Sequence, residues 1–178
     1  MIPPAVERAL ELAAGMGFAR SCRIEDGMLL HLLAARRGVE RVGEIGTGCG
    51  VATAWLASAV PPGVPVVTSE LDARLAEVAT ALFADDPDVR VLVGDWRAVL
   101  PAHAPFDLLF VDARDAKADV DAVVGLVAPR GTIVLDDFTP GWPGPDPRRT
   151  AWLEHPDLVA GELVTTPESS VIVAVRTH

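Results

Sequence analysis

Apolar residues follow two different periods along this chain. Over residues 6–16 and 25–37 they recur at helical spacing, and Leu29, Leu30, Leu32 and Leu33 give the second stretch a broad apolar face. Short, mainly apolar runs follow at 42–45, 64–68, 89–93, 108–111 and 132–135. Helical patterns are predicted between them at 51–59, 73–83, 96–100 and 118–127. Mainly apolar strands that alternate with helices predict a parallel sheet covered on both faces. The pattern changes after Leu135. Residues 138–149 are rich in Pro and Gly and read as a loop, and a short helix is predicted over 149–155. Runs at 158–165 and 170–175, separated by Thr166-Pro167-Glu168-Ser169, predict a closing antiparallel hairpin. The expectation is a doubly wound α/β sheet of about seven strands in one domain, 1–178.

Composition narrows the function. Half of the 178 residues are hydrophobic and 22% are charged, as in an ordinary globular domain. No apolar run approaches membrane-spanning length, and Met1-Ile2-Pro3-Pro4 lacks the pattern of a signal peptide. Cys22 and Cys49 are the only cysteines, which suggests reduced thiols and a cytoplasmic setting. The formal net charge of −10 argues against nucleic acid, whose affinity rests on Lys and Arg, and favours a small-molecule partner. The chain has no Asn, Gln or Tyr, and Lys117 is its one lysine, so neither a phenol nor a side-chain amide can serve in any site.

The candidate chemistry begins at Glu44-Ile45-Gly46-Thr47-Gly48-Cys49-Gly50, a strand end running into a glycine loop and then a helix. Such a loop lets a ligand approach the main chain, and the helix start offers free N–H groups. The spacing G-x-G-x-G differs from the dinucleotide fingerprint, in which the sixth position is Gly or Ala; here it is Val51. Each predicted parallel strand also delivers an acid near its carboxyl end, where such sheets bind ligands: Glu44, Glu70, Asp95, Asp112 and the pair Asp136-Asp137. Glu70, 24 residues past Gly46 and followed by Leu71, suits the hydroxyls of a ribose. Asp95 and Trp96 suit an adenine, by hydrogen bonding and by stacking; the alternative is a helix cap and a packed ring.

These features resemble a class I S-adenosylmethionine-dependent methyltransferase. More narrowly, the chain is similar to the catechol and caffeoyl-CoA O-methyltransferase group. The resemblance rests on the glycine loop, Glu70, the run from Phe106 to Ala113, the run from Pro129 to Asp137, and the segment from Ile24 to Leu30. It implies a doubly wound, Rossmann-like methyltransferase sheet with N-terminal helices (1–40), a donor-binding half (41–137) and an acceptor loop with the closing hairpin (138–178). It implies S-adenosylmethionine at Glu44, Gly46, Thr47, Gly48, Gly50, Glu70, Leu71, Asp95, Trp96 and Asp112. It further implies Mg2+ or another divalent cation on Asp112, Asp136 and Asp137, a small aromatic or polyhydroxy acceptor, and pairing of two copies through the N-terminal helices.

The chain departs from the family at two positions. The catalytic lysine three residues after the strand-four acid is Asp115 here, and Lys117 stands five after it. Lys117 is then either a repositioned general base or a solvated lysine at a helix start. Asp137 replaces the family's Asn. Weaker candidates are His155 as a base, Trp142 and Trp152 as acceptor walls, and His31, His103 and Cys49 as bystanders. The rival readings are a tRNA-modifying methyltransferase, a catalytically silent S-adenosylmethionine-binding domain, and a nicotinamide oxidoreductase.

Overall fold

The structure, a computed structural model, describes residues 2–178. Seven strands form one sheet: β1 (Val42–Ile45), β2 (Val66–Glu70), β3 (Val89–Val93), β4 (Phe106–Val111), β5 (Val127–Phe138), β6 (Leu158–Thr166) and β7 (Ser169–Arg176). Their order is β3-β2-β1-β4-β5-β7-β6. All pairings from β3 to β5 are parallel, and β7 runs antiparallel to both β5 and β6. The predicted hairpin is therefore present, with β7 wedged between β5 and β6. The helices are α1 (Pro4–Gly15), α2 (Ile24–Ala34), α3 (Val51–Ala57), α4 (Ala73–Leu82), α5 (Trp96–Val99), α6 (Val120–Val124) and α7 (Pro147–Leu153).

The sheet's period of two sorts its side chains into two cores. Leu108 and Phe110 face α1, α2 and α3, where they join Leu30, Trp55 and Leu56. Leu109 and Val111 face the other way and join Trp96, Leu100, Ile133 and Trp152. Two neighbouring residues of one strand are thus buried on opposite faces, which is why residues 108–111 of β4 read as unbroken apolar sequence. Among the described residues no helix is long and apolar enough to cross a membrane.

Two expected elements differ. The helix predicted over 118–127 is a 3-10 turn at Ala116–Ala118 followed by the single-turn α6. Asp119, at φ −118° and ψ 68°, breaks the helical path, and Val127 is drawn into β5. β5 itself is longer than the apolar run 132–135. The Pro129-Arg130-Gly131 step forms a bulge, and pairing jumps from Phe106↔Val127 to Leu108↔Thr132.

The order of winding reverses between β1 and β4. From β1 the chain winds outward to β2 and β3, then returns to β4 and winds the other way. The carboxyl ends of β1 and β4 therefore form the crevice where open sheets bind ligands. They are tied together there: Asp112 N–H donates to the Ile45 carbonyl at 2.9 Å.

Candidate active site

A cavity of about 550 Å³ opens at this crevice. Gly46, Thr47 and Gly48 line one wall, with Glu70 and Asp112 beside them. Gly46 has φ 98° and Gly50 φ 85°, a left-handed backbone open to glycine and costly for other residues. Gly50 takes this conformation as the N-cap of α3, which turns the chain sharply out of the loop. Thr47 and Thr68 hydroxyls share a 2.6 Å hydrogen bond under the loop. Glu70 accepts from two backbone N–H groups, Gly48 at 2.8 Å and Asp72 at 2.9 Å. The carboxylate at the end of β2 thereby fixes the glycine loop at the end of β1.

Glu44 lies beneath this wall and outside the cavity lining. It is fully buried and accepts a hydrogen bond from the Thr53 hydroxyl of α3. Burial pushes its carboxyl up to about 8, against the lowering effect of the Thr53 and Thr68 hydroxyls. Asp95 and Leu71 also lie outside the lining. Asp95 caps α5, accepting from Arg97 N–H at 2.9 Å, and Leu71 stands 76% exposed beside Glu70. Trp96 is no stacking surface. It is 5% exposed, its indole N–H donates to Asp115 Oδ2 at 3.0 Å, and the Arg97 guanidinium lies 4.3 Å from its ring. The ring is the packed alternative noted in the sequence, because Asp115 gives its N–H a partner inside the fold.

The opposite wall brings Asp112, Lys117, Asp136 and Asp137 to one rim. Lys117 is not solvated: it is 5% exposed, and its Nζ stands 3.5 Å from Asp112 Oδ1 and 3.5 Å from Asp137 Oδ2. The 3-10 turn delivers it, held by Lys117 N–H to Ala113 O at 3.1 Å and by the Trp152 indole N–H to Lys117 O at 2.9 Å. Burial raises the Asp112 carboxyl to about 6, with Lys117 opposing the rise. Burial raises Asp136 to about 7, aided by the charges of Asp26 and Asp112.

The three acids expected to hold a divalent cation do not converge as a ligand set. Asp136 Oδ1 accepts from Asp137 N–H at 2.6 Å, while the Asp137 oxygens face Arg23 at 3.5 Å and Lys117. Among the described residues no three His, Cys, Asp or Glu side chains are grouped so as to hold a metal ion. Carboxylates suit a hard cation chemically, but here their geometry serves protein cations.

Sequence reasoning missed one wall entirely. Phe18, Arg20, Ser21 and Arg23, from the link between α1 and α2, line the cavity, and the Phe18 ring lies against Gly48. Arg114 and Arg148 complete it. The signal available was a polar, arginine-bearing segment between two amphipathic helices. The weaker candidates fall elsewhere. His155 pairs with Asp121, His31 meets the Trp55 carbonyl, Trp142 is exposed, and Trp152 is core. His103 ends the 3-10 turn Pro101–His103, whereas Cys49 is a buried part of the cavity wall.

Comparison with known proteins fits this geometry. A family described as "Methyltransferase domain" matches residues 44–138. A "Protein-L-isoaspartate O-methyltransferase" from Methylorubrum extorquens is 37% identical over 131 residues, 73% of this chain and 55% of that protein. A "Catechol O-methyltransferase" from Mycobacterium tuberculosis is 37% identical over 144 residues, 75% of this chain and 64% of that protein. The chain thus spans between half and two thirds of the length of these relatives. Among solved structures, the O-methyltransferase TomG from Streptomyces achromogenes, in complex with SAM, superposes with a TM-score of 0.83 at 27% identity. It covers 100% of this chain and 92% of TomG. Cofactor-bound Rv0187 from MTB superposes with a TM-score of 0.84 at 31% identity, covering 98% and 90%.

Proposed function

This chain belongs to the class I S-adenosylmethionine-dependent O-methyltransferases, and we propose that it methylates a hydroxyl of a small aromatic or polyhydroxy molecule. The observation that carries this reading is the meeting of Glu70, the glycine loop and the Asp112–Lys117 pair around one cavity. Gly46, Thr47, Gly48 and Gly50 frame the donor, and Glu70 faces its ribose. Leu71 offers an exposed apolar side chain and Asp95 an exposed carboxylate to the adenine edge, with Trp96 as a support behind them. Glu44 acts from below by holding α3 against the loop.

In the transfer, an oxygen lone pair of the acceptor forms the new O–CH3 bond as the S–CH3 bond breaks. The electron pair of that bond returns to sulfur, and the sulfonium becomes a neutral thioether. Asp112 is positioned to take the hydroxyl proton, and the Lys117 ammonium to stabilise the oxygen as its negative charge grows. A divalent cation would supply the same stabilisation by polarising the acceptor oxygen. The geometry of the rim does not fit one.

The chemistry of the other wall points to an acceptor with an anionic substituent. Arg20, Arg114 and Arg148 line the cavity of a chain whose net charge is −10. Among the described residues these three form no ion pair. A guanidinium is well suited to binding a carboxylate or phosphate.

The test is methyl transfer from S-adenosylmethionine to catechol and to 3,4-dihydroxybenzoate, read as a mass gain of one methylene. Transfer that disappears in Asp112→Asn while S-adenosylhomocysteine still binds supports the reading. Donor binding without transfer to any hydroxylated acceptor supports a silent binding domain instead.

A further inference from the structure

We propose that Lys117 and Arg23 provide, as fixed protein cations, the positive charge that a divalent ion would bring to the Asp112–Asp136–Asp137 rim, so that the acceptor site works without metal. The inference rests on the reading of this cavity as a methyl-transfer site and concerns how its acidic rim is balanced.

Three observations carry it. First, Lys117 is buried at the rim itself, equidistant from oxygens of Asp112 and Asp137. Burying an ammonium is costly unless carboxylates surround it, so its position and theirs are set together. Second, Arg23 approaches the same cluster from the other side. Its Nη1 lies 3.5 Å from Asp137 Oδ1 and 4.0 Å from Asp26 Oδ2, and donates to Ser169 Oγ at 3.1 Å. Each oxygen of Asp137 therefore faces a different protein cation. Third, one oxygen of the remaining acid is already taken: Asp136 Oδ1 accepts from Asp137 N–H, where the backbone turns through φ 62°. Two single positive charges thus stand where the family's ligand geometry provides for one double charge.

The electrostatic consequence follows from distance. A magnesium ion needs carboxylate oxygens at about 2.1 Å in near-octahedral order. Bound to Asp112 and Asp137, it would share two of its ligands with the Lys117 ammonium, and the two positive charges would repel at close range. The ammonium is attached, so the ion is the one displaced. Lys117 reaches this place because the 3-10 turn moves its backbone and Trp152 holds its carbonyl. A lysine five residues after the strand-four acid, not three, can in this way enter the cation's own position.

The experiment is a titration of Mn2+ into the full chain, alone and saturated with S-adenosylhomocysteine, with free Mn2+ read by electron paramagnetic resonance. The expected result is no stoichiometric binding up to about 1 mM, the weak end of biological divalent sites. Removing the protein cations should open the site. Lys117→Ala and, separately, the more exposed Arg23→Ala are expected to gain Mn2+ affinity, the first by at least tenfold. Their folding is checked by S-adenosylhomocysteine affinity. One equivalent of Mn2+ bound to the parent chain and lost in Asp136→Asn would overturn the proposal. So would folded variants that gain no affinity. Failure of the methyltransferase reading is read separately, as absence of nucleoside binding, and the Mn2+ titration of the chain alone still decides the metal question.

Discussion

The indole N–H of Trp152 donates to the carbonyl of Lys117 at 2.9 Å, across 35 residues of sequence. This buried bond joins α7 to the 3-10 turn and holds the one lysine of the chain at the cavity rim. Trp152→Phe keeps most of the apolar volume and removes the donor, leaving a buried carbonyl unpaired. The expected cost is about 1–3 kcal/mol of stability. Methyl transfer should fall through kcat with donor affinity retained, since the glycine wall is untouched. Thermal unfolding together with a split of kcat from KM checks this.

Glu70 is predicted to govern the donor wall. Its two oxygens accept from Gly48 and Asp72, so Glu70→Ala frees both N–H groups and loosens the loop as well as removing the ribose partner. The affinity for S-adenosylhomocysteine is expected to drop at least tenfold, about 1.4 kcal/mol or more. Titration calorimetry of the variant reads it directly.

The buried carboxyl of Glu44 predicts a pH dependence of stability. Its ordinary value of 4.5 rises to about 8 in the fold, because burial disfavours the charged form. Below pH 4.5 the group is protonated folded or unfolded and imposes no cost. As pH rises from 4.5 to about 8 the unfolded chain releases the proton while the folded chain retains it, so stability falls across that window. Glu44→Gln should flatten this slope. Asp112 and Asp136, also raised by burial, bend the curve in the same sense, so the difference between variant and parent isolates Glu44. Unfolding midpoints in urea between pH 5 and 8 measure it.

Close packing under α2 gives a steric prediction. A Cβ at Gly27 would stand 2.1 Å from the Trp55 indole nitrogen, and Trp55 is among the most buried side chains. Gly27→Ala is expected to destabilise by roughly 1–3 kcal/mol or more through overpacking. Gly161, with nothing within 4 Å of such a Cβ, is the control and should tolerate alanine with little change. Paired thermal melts distinguish the two.

The arginine wall predicts acceptor selectivity. Arg148→Ala should raise KM for 3,4-dihydroxybenzoate several-fold more than for catechol, because only the former presents a carboxylate to the cavity. Equal effects on both acceptors would remove the anionic preference.

Much of this architecture was readable in the chain. The runs 42–45 and 89–93 are β1 and β3 to the residue, although only β1 is buried along its whole length and the edge strand β3 carries the exposed Arg90. The glycine loop, Glu70 and the strand-end acids follow from that alternation. What escaped depends on contacts remote in sequence. Trp96 beside Asp95 looked like a nucleotide platform until Asp115, 19 residues on, supplied a partner for its N–H. Lys117 looked exposed because Trp152 and the broken helix at Asp119, which place it, carry no local signal. Arg23 reaches Asp137 only after α2 is packed on the sheet.

The central claim is that the cavity at the ends of β1, β2 and β4 binds S-adenosylmethionine. Calorimetric titration of S-adenosylhomocysteine into the purified chain, with NAD as the comparison, tests it most directly. One equivalent of S-adenosylhomocysteine bound, weakened in Glu70→Ala, with NAD giving no heat, is the predicted result. No binding of the nucleoside, or tighter binding of NAD, would contradict it.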